Sequence, residues 1–346
     1  MKFVNQITCG NNLDLIKEID NETVDLIITS PPYYKQRDNG AGIGNEKTLE
    51  EYLKNLLKIF HECVRVTASD GSIVFNLGDK FEKGSYLLAP YRFAIKALDN
   101  EPVKLANNIT WVKSNPTPRQ DKKKLVPSTE PFFHFVKSRD YYFNLERYMT
   151  YLNRTKKKKT AKLTNIGKKY FSDIIRSDLT KEQKDMARKE LQEVINEVRT
   201  GKIESFRMKI RGIHSVAYGG QPGGRQIQLD KKGFTIIKIH GNPLKKDIIE
   251  CAVETIKGGK HRSVYPEQII TELLKLLTKE EDIVLDPYMG SGTTAVACKK
   301  INRKYIGFEI NADYCQDAIA RVNKVKSNSE CEKEDIHNDN SSSNIK

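Results

Sequence analysis

A hydroxyl group, two prolines and two aromatic rings follow a short apolar run near the amino end of the 346-residue sequence. The run, Val24-Asp25-Leu26-Ile27-Ile28, is short and rich in β-branched side chains, which predicts a buried strand. It continues into Thr29-Ser30-Pro31-Pro32-Tyr33-Tyr34. Because proline lacks an N–H and restricts the residue before it to extended conformations, the turn is stiff. Open α/β sheets place their chemistry at such strand ends, so this stretch is a candidate catalytic loop.

A second loop, rich in glycine, lies near the other end of the chain. The predicted strand Ile283-Val284-Leu285-Asp286 leads into Pro287-Tyr288-Met289-Gly290-Ser291-Gly292-Thr293-Thr294, then a helix, then a strand that ends at Glu309. This succession is typical of a nucleotide-binding unit, in which the second acid accepts hydrogen bonds from ribose hydroxyls. Glu309 stands 23 positions after Asp286, close to the usual spacing.

Three features of the glycine loop indicate which nucleotide it binds. The loop has no GxGxxG, which weakens a dinucleotide interpretation, and no Lys follows Gly292 to pair with phosphates. The carboxylate of Asp286 would repel a phosphate but could pair with an ammonium group. A ligand with an adenosine, a cationic amino-acid end and no phosphate fits best. The loop therefore predicts S-adenosylmethionine as cofactor, without a metal.

The positive charge of the chain is concentrated in its middle. The formal net charge is +14, and the range 151–232 holds 21 Lys and Arg against 9 Asp and Glu. A local excess of this size indicates a polyanionic partner, with nucleic acid ahead of a membrane. Arg211 is a candidate DNA contact in this region. In the glycine-rich stretch 218–226, Gln221, Arg225 and Gln226 carry donors and acceptors suited to base edges, and a solvated loop is the alternative.

Cysteine usage and hydropathy limit the cellular compartment and the class of protein that the sequence predicts. The six cysteines show no CxxC pair and no zinc spacing, which favours a reducing compartment and disfavours a structural metal. We find neither a signal-peptide pattern nor an apolar run long enough to cross a bilayer. The expectation is a soluble cytoplasmic protein.

Strand and helix patterns alternate on both sides of the basic middle, which predicts an α/β fold with a parallel or mixed sheet. Consecutive strand ends would then bring Gly10, Ser30, Gly78 and Lys113 to one cleft. The predicted strands are Phe3–Ile7, Val24–Ile28, Ser72–Leu77, Ile109–Lys113, Pro131–Val136, Ile283–Asp286 and Tyr305–Glu309. The predicted helices are Thr48–Val66, Tyr86–Leu98, one capped by Thr180, one opened by Pro266, and Asp313–Val325. The polar stretch Ser327–Lys346 is predicted to be a disordered tail.

The two loops, in this order, resemble the motifs of the DNA amino-methyltransferases in their permuted β-class arrangement. Thr29–Tyr33 resembles the catalytic motif, Asp286–Thr294 the cofactor motif, and Ile306–Glu309 the ribose-binding segment. The resemblance covers 3–137 and 258–325. It implies a Rossmann-like S-adenosylmethionine-dependent methyltransferase fold, with a mostly parallel twisted sheet and a basic target-recognition insertion.

The resemblance also assigns roles to further positions. Asn11 stands where the family usually has Asp, as a candidate adenine contact. Trp111 and Lys113 lie in a stretch similar to a family motif near the flipped base, although Trp111 is equally compatible with a packing role. The implied organisation is a catalytic half at 1–114, a DNA target-recognition region at 115–257 whose first part can still complete the sheet, a cofactor half at 258–326 and a tail at 327–346.

The form Ser30-Pro31-Pro32-Tyr33 resembles the cytosine-N4 members, whereas Asp in place of Ser is usual among the adenine-N6 members. We therefore expect methyl transfer to the N4 amine of a flipped cytosine in double-stranded DNA, with adenine-N6 transfer as the nearest alternative. The resemblance also implies a cognate restriction endonuclease as a partner, and an enzyme that acts alone on the genome is equally compatible. Cytosine-C5 methylation is disfavoured, because it needs a nucleophilic thiolate, usually after a proline, and no cysteine follows a proline here.

Two other classes stay open on the sequence alone. One is a nucleic-acid-binding protein that keeps the fold without catalysis, and the other is an NTP-dependent enzyme that uses the Gly-Ser-Gly loop. The first is disfavoured by the intact Ser30, Tyr33 and Glu309. The second lacks the loop lysine.

Overall fold

The computed structural model describes residues 1–36, 42–116, 123–145, 148, 166–200, 202–203, 205–214, 225–239, 246–254 and 265–325, with the backbone alone at 225–228. The chain forms two compact units. The large unit consists of Met1–Tyr148 and Lys246–Lys346, and the small unit is Met149–Lys245. Each unit is described by itself below.

One eight-stranded sheet organises the large unit. Its strands are β1 (Gln6–Cys9), β2 (Val24–Thr29), β3 (Thr67–Asn76), β6 (Lys104–Lys113), β7 (Thr129–Val136), β10 (Ile248–Cys251), β11 (Ile283–Asp286) and β12 (Lys304–Glu309), while β4 (Phe81–Glu82) and β5 (Ser85–Tyr86) form a separate hairpin. The order across the sheet is β1-β12-β11-β2-β3-β7-β6-β10.

Strand direction decides which side chains meet. Only β7 runs antiparallel to its neighbours β3 and β6, and the other pairings are parallel. Seven strands therefore end at the same edge of the sheet, and the amino end of β7 joins them there. The predicted mostly parallel α/β sheet is confirmed.

Helices flank this sheet and bury its apolar residues. They are α1 (Asn12–Leu15), α2 (Leu49–Val66), α3 (Ala89–Asn100), α7 (Glu267–Leu277), α8 (Thr293–Lys300) and α9 (Ala312–Asn323). The hydroxyl of Thr48 caps α2 by accepting from the N–H of Glu51. Phe60 of α2 packs with ring centroids 5.1–5.4 Å from those of Phe75, Phe93 and Phe135, which fixes α2 and α3 against β3 and β7.

The small unit contains helices α4 (Lys168–Arg176), α5 (Lys181–Arg199) and α6 (Arg225–Lys232) and a hairpin of β8 (Ser205–Ile210) and β9 (Phe234–Ile239). The predicted capping box is present: Thr180 Oγ1 accepts from the N–H of Gln183, whose side chain accepts from the N–H of Thr180. Apolar residues from α4, α5, β8 and β9 form the core of this unit.

Several element boundaries differ from the prediction. Helix α3 begins at Ala89 rather than Tyr86, because Lys83 and Gly84 adopt positive φ and turn the chain into the β4–β5 hairpin. Pro90 consequently lies in the first turn of α3, where its missing N–H leaves no partner unsatisfied. The first strand is Gln6–Cys9 instead of Phe3–Ile7.

The stretch 115–257 contributes strands to the large sheet at both of its ends. Strands β7 and β10 both pair within the large sheet, so the chain on either side of the small unit contributes to the large unit. Residues 225 and 226 lie in α6 rather than in a loop. Gln221 and the tail at 327–346 lie outside the described residues. Among the described helices, none combines the length and apolar character needed to cross a bilayer.

Candidate active site

The edge of the sheet where the parallel strands end borders a cavity of about 780 Å³. This volume falls within the range of about 300–1,000 Å³ that is usual for small-molecule sites. Both loops singled out in the sequence contribute to its wall. The predicted site residues that line it are Asn11, Ser30, Pro31, Pro32, Tyr33, Trp111, Lys113, Pro287, Tyr288, Gly290, Ser291, Thr293 and Glu309.

The catalytic loop is held at both ends by hydrogen bonds. Before the prolines, Thr29 Oγ1 donates to Asp286 Oδ1 at 2.6 Å. After them, the hydroxyl of the buried Tyr52 donates to the carbonyl of Pro32 at 3.0 Å. The loop therefore bridges β2 to β11 and to α2, and Ser30 and Tyr33 are presented from a fixed backbone.

The hydroxyls of Ser30 and Tyr33 meet at one buried amide. Asn76, the last residue of β3, has its Oδ1 3.1 Å from Ser30 Oγ and 2.8 Å from the Tyr33 hydroxyl. Its Nδ2 donates to the carbonyl of Pro131 at 3.0 Å, which orients the amide. The two hydroxyl oxygens lie 3.2 Å apart. Asn76 thus fixes both side chains at the cavity wall.

A carboxylate lies beside the same tyrosine. Glu130 Oε2 is 3.0 Å from the Tyr33 hydroxyl, and Oε1 is 2.5 Å from Lys113 Nζ. Burial, and next the charge of Glu130, raise the pKa of Tyr33 well above its usual value. The phenol is therefore protonated at neutral pH. Gly78 leaves room for its ring, since a Cβ at that position would lie 2.4 Å from Tyr33 Cε2.

Trp111 is more enclosed than a rim residue. Only 3% of its surface is exposed, and its Nε1 donates to the carbonyl of Cys251 at 3.1 Å. Lys113 Nζ lies 4.9 Å from the centre of its ring. The indole N–H is therefore committed to β10, and the ring contributes to the cavity wall.

Asp286 does not line the cavity, and its predicted pairing with an ammonium group of a bound ligand stays a prediction. Its carboxylate is fully buried and accepts four hydrogen bonds, none from a cation. The donors are Thr29 Oγ1, the N–H of Tyr288, Thr294 Oγ1 and the Tyr265 hydroxyl, at 2.6–3.0 Å. Burial raises the pKa of Asp286 above its usual value.

The glycine loop is closed by the second acid. Glu309 Oε2 accepts from the N–H of Gly290 at 2.8 Å, and Oε1 accepts from the N–H of Asn311 at 2.9 Å. Burial raises the pKa of Glu309. Gly292 has φ +79°, and a Cβ there would lie 3.0 Å from Ala318 Cβ, so the turn into α8 requires glycine. Unlike Asp286, Glu309 lines the cavity.

The remaining predicted contacts are placed as follows. Asn11 lines the cavity, and its Oδ1 caps α1 by accepting from the N–H of Leu13 at 2.9 Å. Arg211 lies in the small unit with its guanidinium 3.6 Å from Asp178. The side chains of Arg225 and Gln226 are outside what the structure describes.

Sequence reasoning missed Asn76, Glu130 and Tyr265. Asn76 was recognisable as a polar residue one position before the end of the predicted strand Ser72–Leu77, a signal close to the one that identified Ser30. Glu130 was not, because it lies at the amino end of the antiparallel β7, one residue before the predicted strand. Tyr265 precedes the predicted helix opened by Pro266, and nothing in that pattern connects it to Asp286.

Comparison with solved structures agrees with this architecture. The PvuII DNA methyltransferase, described as cytosine-N4-specific, superposes with a TM-score of 0.57 at 18% identity, over 96% of this chain and 90% of that one. The sheet and its two loops thus define a Rossmann-like methyltransferase fold.

The sequence comparisons give the family. Residues 24–320 match the N6/N4 DNA methylase family, and the chain belongs to it. The Type II methyltransferase M.SfiI of Streptomyces fimbriatus is 24% identical, over 93% of this chain and 91% of the relative. The orphan methyltransferase M.BamHII of Bacillus amyloliquefaciens is 26% identical, over 88% of this chain and 91% of the relative. The chain is thus similar to DNA methyltransferases along most of its length.

Proposed function

We propose that this DNA methyltransferase transfers a methyl group from S-adenosylmethionine to the exocyclic N4 amine of a flipped-out cytosine in double-stranded DNA. The observation that carries the proposal is the hydroxyl of Ser30, fixed by Asn76 beside the ring of Tyr33 in the cavity wall. The Ser-Pro-Pro-Tyr form of the loop supports cytosine over adenine. So does the cytosine-specific PvuII enzyme, whose fold the chain shares.

The catalytic loop would act by positioning. Ser30 Oγ and the carbonyl of Pro31 can accept the two hydrogens of the amine, which turns its lone pair toward the methyl donor. The hydrogen of Ser30 can go to Asn76 Oδ1 or to the Tyr33 hydroxyl, and in either case a lone pair of Ser30 Oγ remains for the amine. Tyr33 offers an aromatic surface on which a flipped pyrimidine stacks.

The cofactor pocket fits S-adenosylmethionine in its donor set. The carboxylate of Glu309 lines the cavity and suits ribose hydroxyls, and the Gly290–Ser291–Gly292 turn allows a close approach of the ligand. Asn11 and Tyr288 are the further wall residues assigned to the cofactor. When bound, S-adenosylmethionine supplies a methyl group on a sulfonium, open to direct in-line displacement. Asp286 holds the loop through its hydrogen bonds with Thr29, Tyr288 and Thr294.

We assign DNA recognition to the small unit. Arg207, Lys209 and Arg211 alternate along and just beyond β8, on the face opposite the buried Met208 and Ile210. Arg207 is exposed, and neither Arg207 nor Lys209 has a charged partner in the described part of the unit. A two-stranded ribbon with a basic face suits contact with DNA phosphates.

The charge of this ribbon can be tested by DNA binding. The Arg207→Gln/Lys209→Gln variant should bind DNA more weakly and reduce the slope of log affinity against log salt by about two. Lys181→Gln/Lys189→Gln on α5 is a control with the same change in charge. Equal losses in both variants would count against the ribbon.

The product identifies the target base. Unmodified genomic DNA is incubated with the protein and S-adenosylmethionine, and the nucleosides are separated by mass spectrometry. We expect N4-methylcytosine. Detection of N6-methyladenine would mean that the same mechanism acts on adenine. The absence of any methylated nucleoside across several DNA sources would favour a binding protein without catalysis.

The similar proteins bear on which partner the enzyme has in the cell. Both a Type II and an orphan methyltransferase are similar to the chain, so a restriction endonuclease of the same site is an expected but not a necessary partner. Action on genomic DNA places the enzyme in the cytoplasm. Deletion of a neighbouring endonuclease gene, if one exists, should remove the need for the methyltransferase.

A further inference from the structure

Glu130 is a carboxylate at the cavity wall, and the mechanism proposed above for the catalytic loop does not use it. Its side chain is 14% exposed and lines the cavity. It contacts two titratable groups, the hydroxyl of Tyr33 at 3.0 Å and Nζ of Lys113 at 2.5 Å. The position follows from the fold, since the amino end of the antiparallel β7 meets the carboxyl ends of its parallel neighbours.

The proposed reaction leaves a proton to be removed. As the amine attacks the methyl group it gains positive charge, and the neutral product forms because one N–H bond breaks while the new N–C bond forms. The polar groups around Ser30 differ in their ability to take this proton. The amide of Asn76 is not basic, and Lys113 is already a cation. Among the described side chains that contact Tyr33, Glu130 is the one that can hold an added proton.

The hydroxyl groups form a continuous path to that carboxylate. Ser30 Oγ lies 3.2 Å from the Tyr33 hydroxyl, which lies 3.0 Å from Glu130 Oε2. Both distances allow hydrogen bonds. Tyr33 has a raised pKa and stays protonated, so it can pass a proton on without first losing its own.

We propose that Ser30, Tyr33 and Glu130 form a proton path from the target amine to a terminal acceptor, the carboxylate of Glu130. The inference rests on the proposed function. One N–H bond of the methylated amine breaks, its electron pair stays on nitrogen, and the proton binds Ser30 Oγ. The hydroxyl proton of Ser30 moves to the Tyr33 oxygen, and the phenol proton moves to Glu130 Oε2. The product amine is neutral and Glu130 is protonated.

The path makes a specific prediction about two substitutions. Tyr33→Phe keeps the aromatic ring and removes the relay, while Glu130→Gln keeps the shape and removes the acceptor. Each should lower the single-turnover rate of methyl transfer about tenfold or more, as expected for loss of one proton-transfer group. Because both interrupt the same path, the double variant should be no slower than the slower single variant.

A matched substitution tests whether the loss of rate belongs to this carboxylate. Glu101→Gln is the matched control, because Glu101 is 11% exposed and paired with His61 at 2.9 Å, outside this cavity.

The outcomes separate the two proposals. Independent losses that multiply in the double variant, or a Tyr33→Phe rate equal to that of the wild type, overturn the proton path alone. An equal loss in Glu101→Gln also overturns it, since the effect would then come from any lost glutamate. A wild type that transfers no methyl group to DNA overturns the proposed function, and the path with it.

Discussion

Two carboxylates hold the two sides of the cavity, and they do so differently. Asp286, at the end of β11, is fully buried and accepts from three hydroxyls and one N–H. Glu130, at the start of β7, is partly exposed at the cavity wall and pairs with Lys113 and Tyr33. Neutral donors enclose the carboxylate of Asp286, whereas the carboxylate of Glu130 lies at the cavity wall.

This difference in burial separates a structural role of the carboxylate from a role in the reaction. A carboxylate with every lone pair occupied and no exposed surface can only tie loops together, here the catalytic loop through Thr29 and the cofactor loop through Tyr288 and Thr294. A carboxylate in the wall can still exchange protons with its neighbours. A residue at the head of a recognisable motif is therefore not necessarily one that contacts the ligand.

Removal of the enclosed carboxylate should have the largest effect. Asp286→Ala leaves three hydroxyls and one N–H without their acceptor, so we expect the free energy of unfolding to fall by roughly 3–5 kcal/mol. Methyl transfer should be lost with it. Urea denaturation followed by circular dichroism measures the first effect. Unchanged stability would show that Asp286 does not tie the loops together.

The pH dependence of stability tests the burial of the same group. The folded pKa of Asp286 is raised, so the folded protein binds this proton more tightly than the unfolded chain. The contribution of Asp286 to stability is therefore present at low pH and is lost as pH rises above 3.8, its usual pKa. Asp286→Asn should lack this decline. Parallel stability curves for the two proteins would contradict the burial.

His134 on strand β7 gives a second pH dependence of stability, with the opposite sign to that of Asp286. His134 is buried, its Nδ1 accepts from Asn107 at 3.0 Å, and its Nε2 donates to Ser72 at 2.9 Å. Burial lowers the pKa of His134 to about 4. Wild type should therefore lose roughly 3 kcal/mol of stability relative to His134→Gln between pH 7 and pH 4. Denaturation curves across this range measure it, and a constant difference would refute it.

The smallest expected effect concerns only the position of Tyr33 in the cavity wall. Gly78→Ala places a methyl group where the ring of Tyr33 lies, 2.4 Å from its Cε2. The ring must shift, so we expect the methyl-transfer rate to fall about tenfold, while the affinity for S-adenosylmethionine stays unchanged. Single-turnover kinetics and calorimetry measure the two quantities. A parallel loss of cofactor affinity would indicate a wider disturbance of the cavity.

Local patterns were sufficient to predict both loops and their placement at strand ends, because Ser30 and Gly290 follow short apolar strands that can be recognised from sequence. They were not sufficient for Glu130, whose position depends on the antiparallel pairing of β7. Nor did they reveal the enclosure of Asp286, which depends on Thr29, 257 residues away, and on Tyr265, 21 residues away. Such contacts are set by tertiary packing, which no local pattern encodes.

The central claim is that Ser30 presents the N4 amine of cytosine for methylation. The most direct measurement is nucleoside mass spectrometry of DNA from a methylation-free host that expresses either the wild type or Ser30→Ala. We predict N4-methylcytosine with the wild type and a loss of about a hundredfold or more with Ser30→Ala at equal protein levels. N6-methyladenine, or undiminished N4-methylcytosine with Ser30→Ala, would contradict the claim.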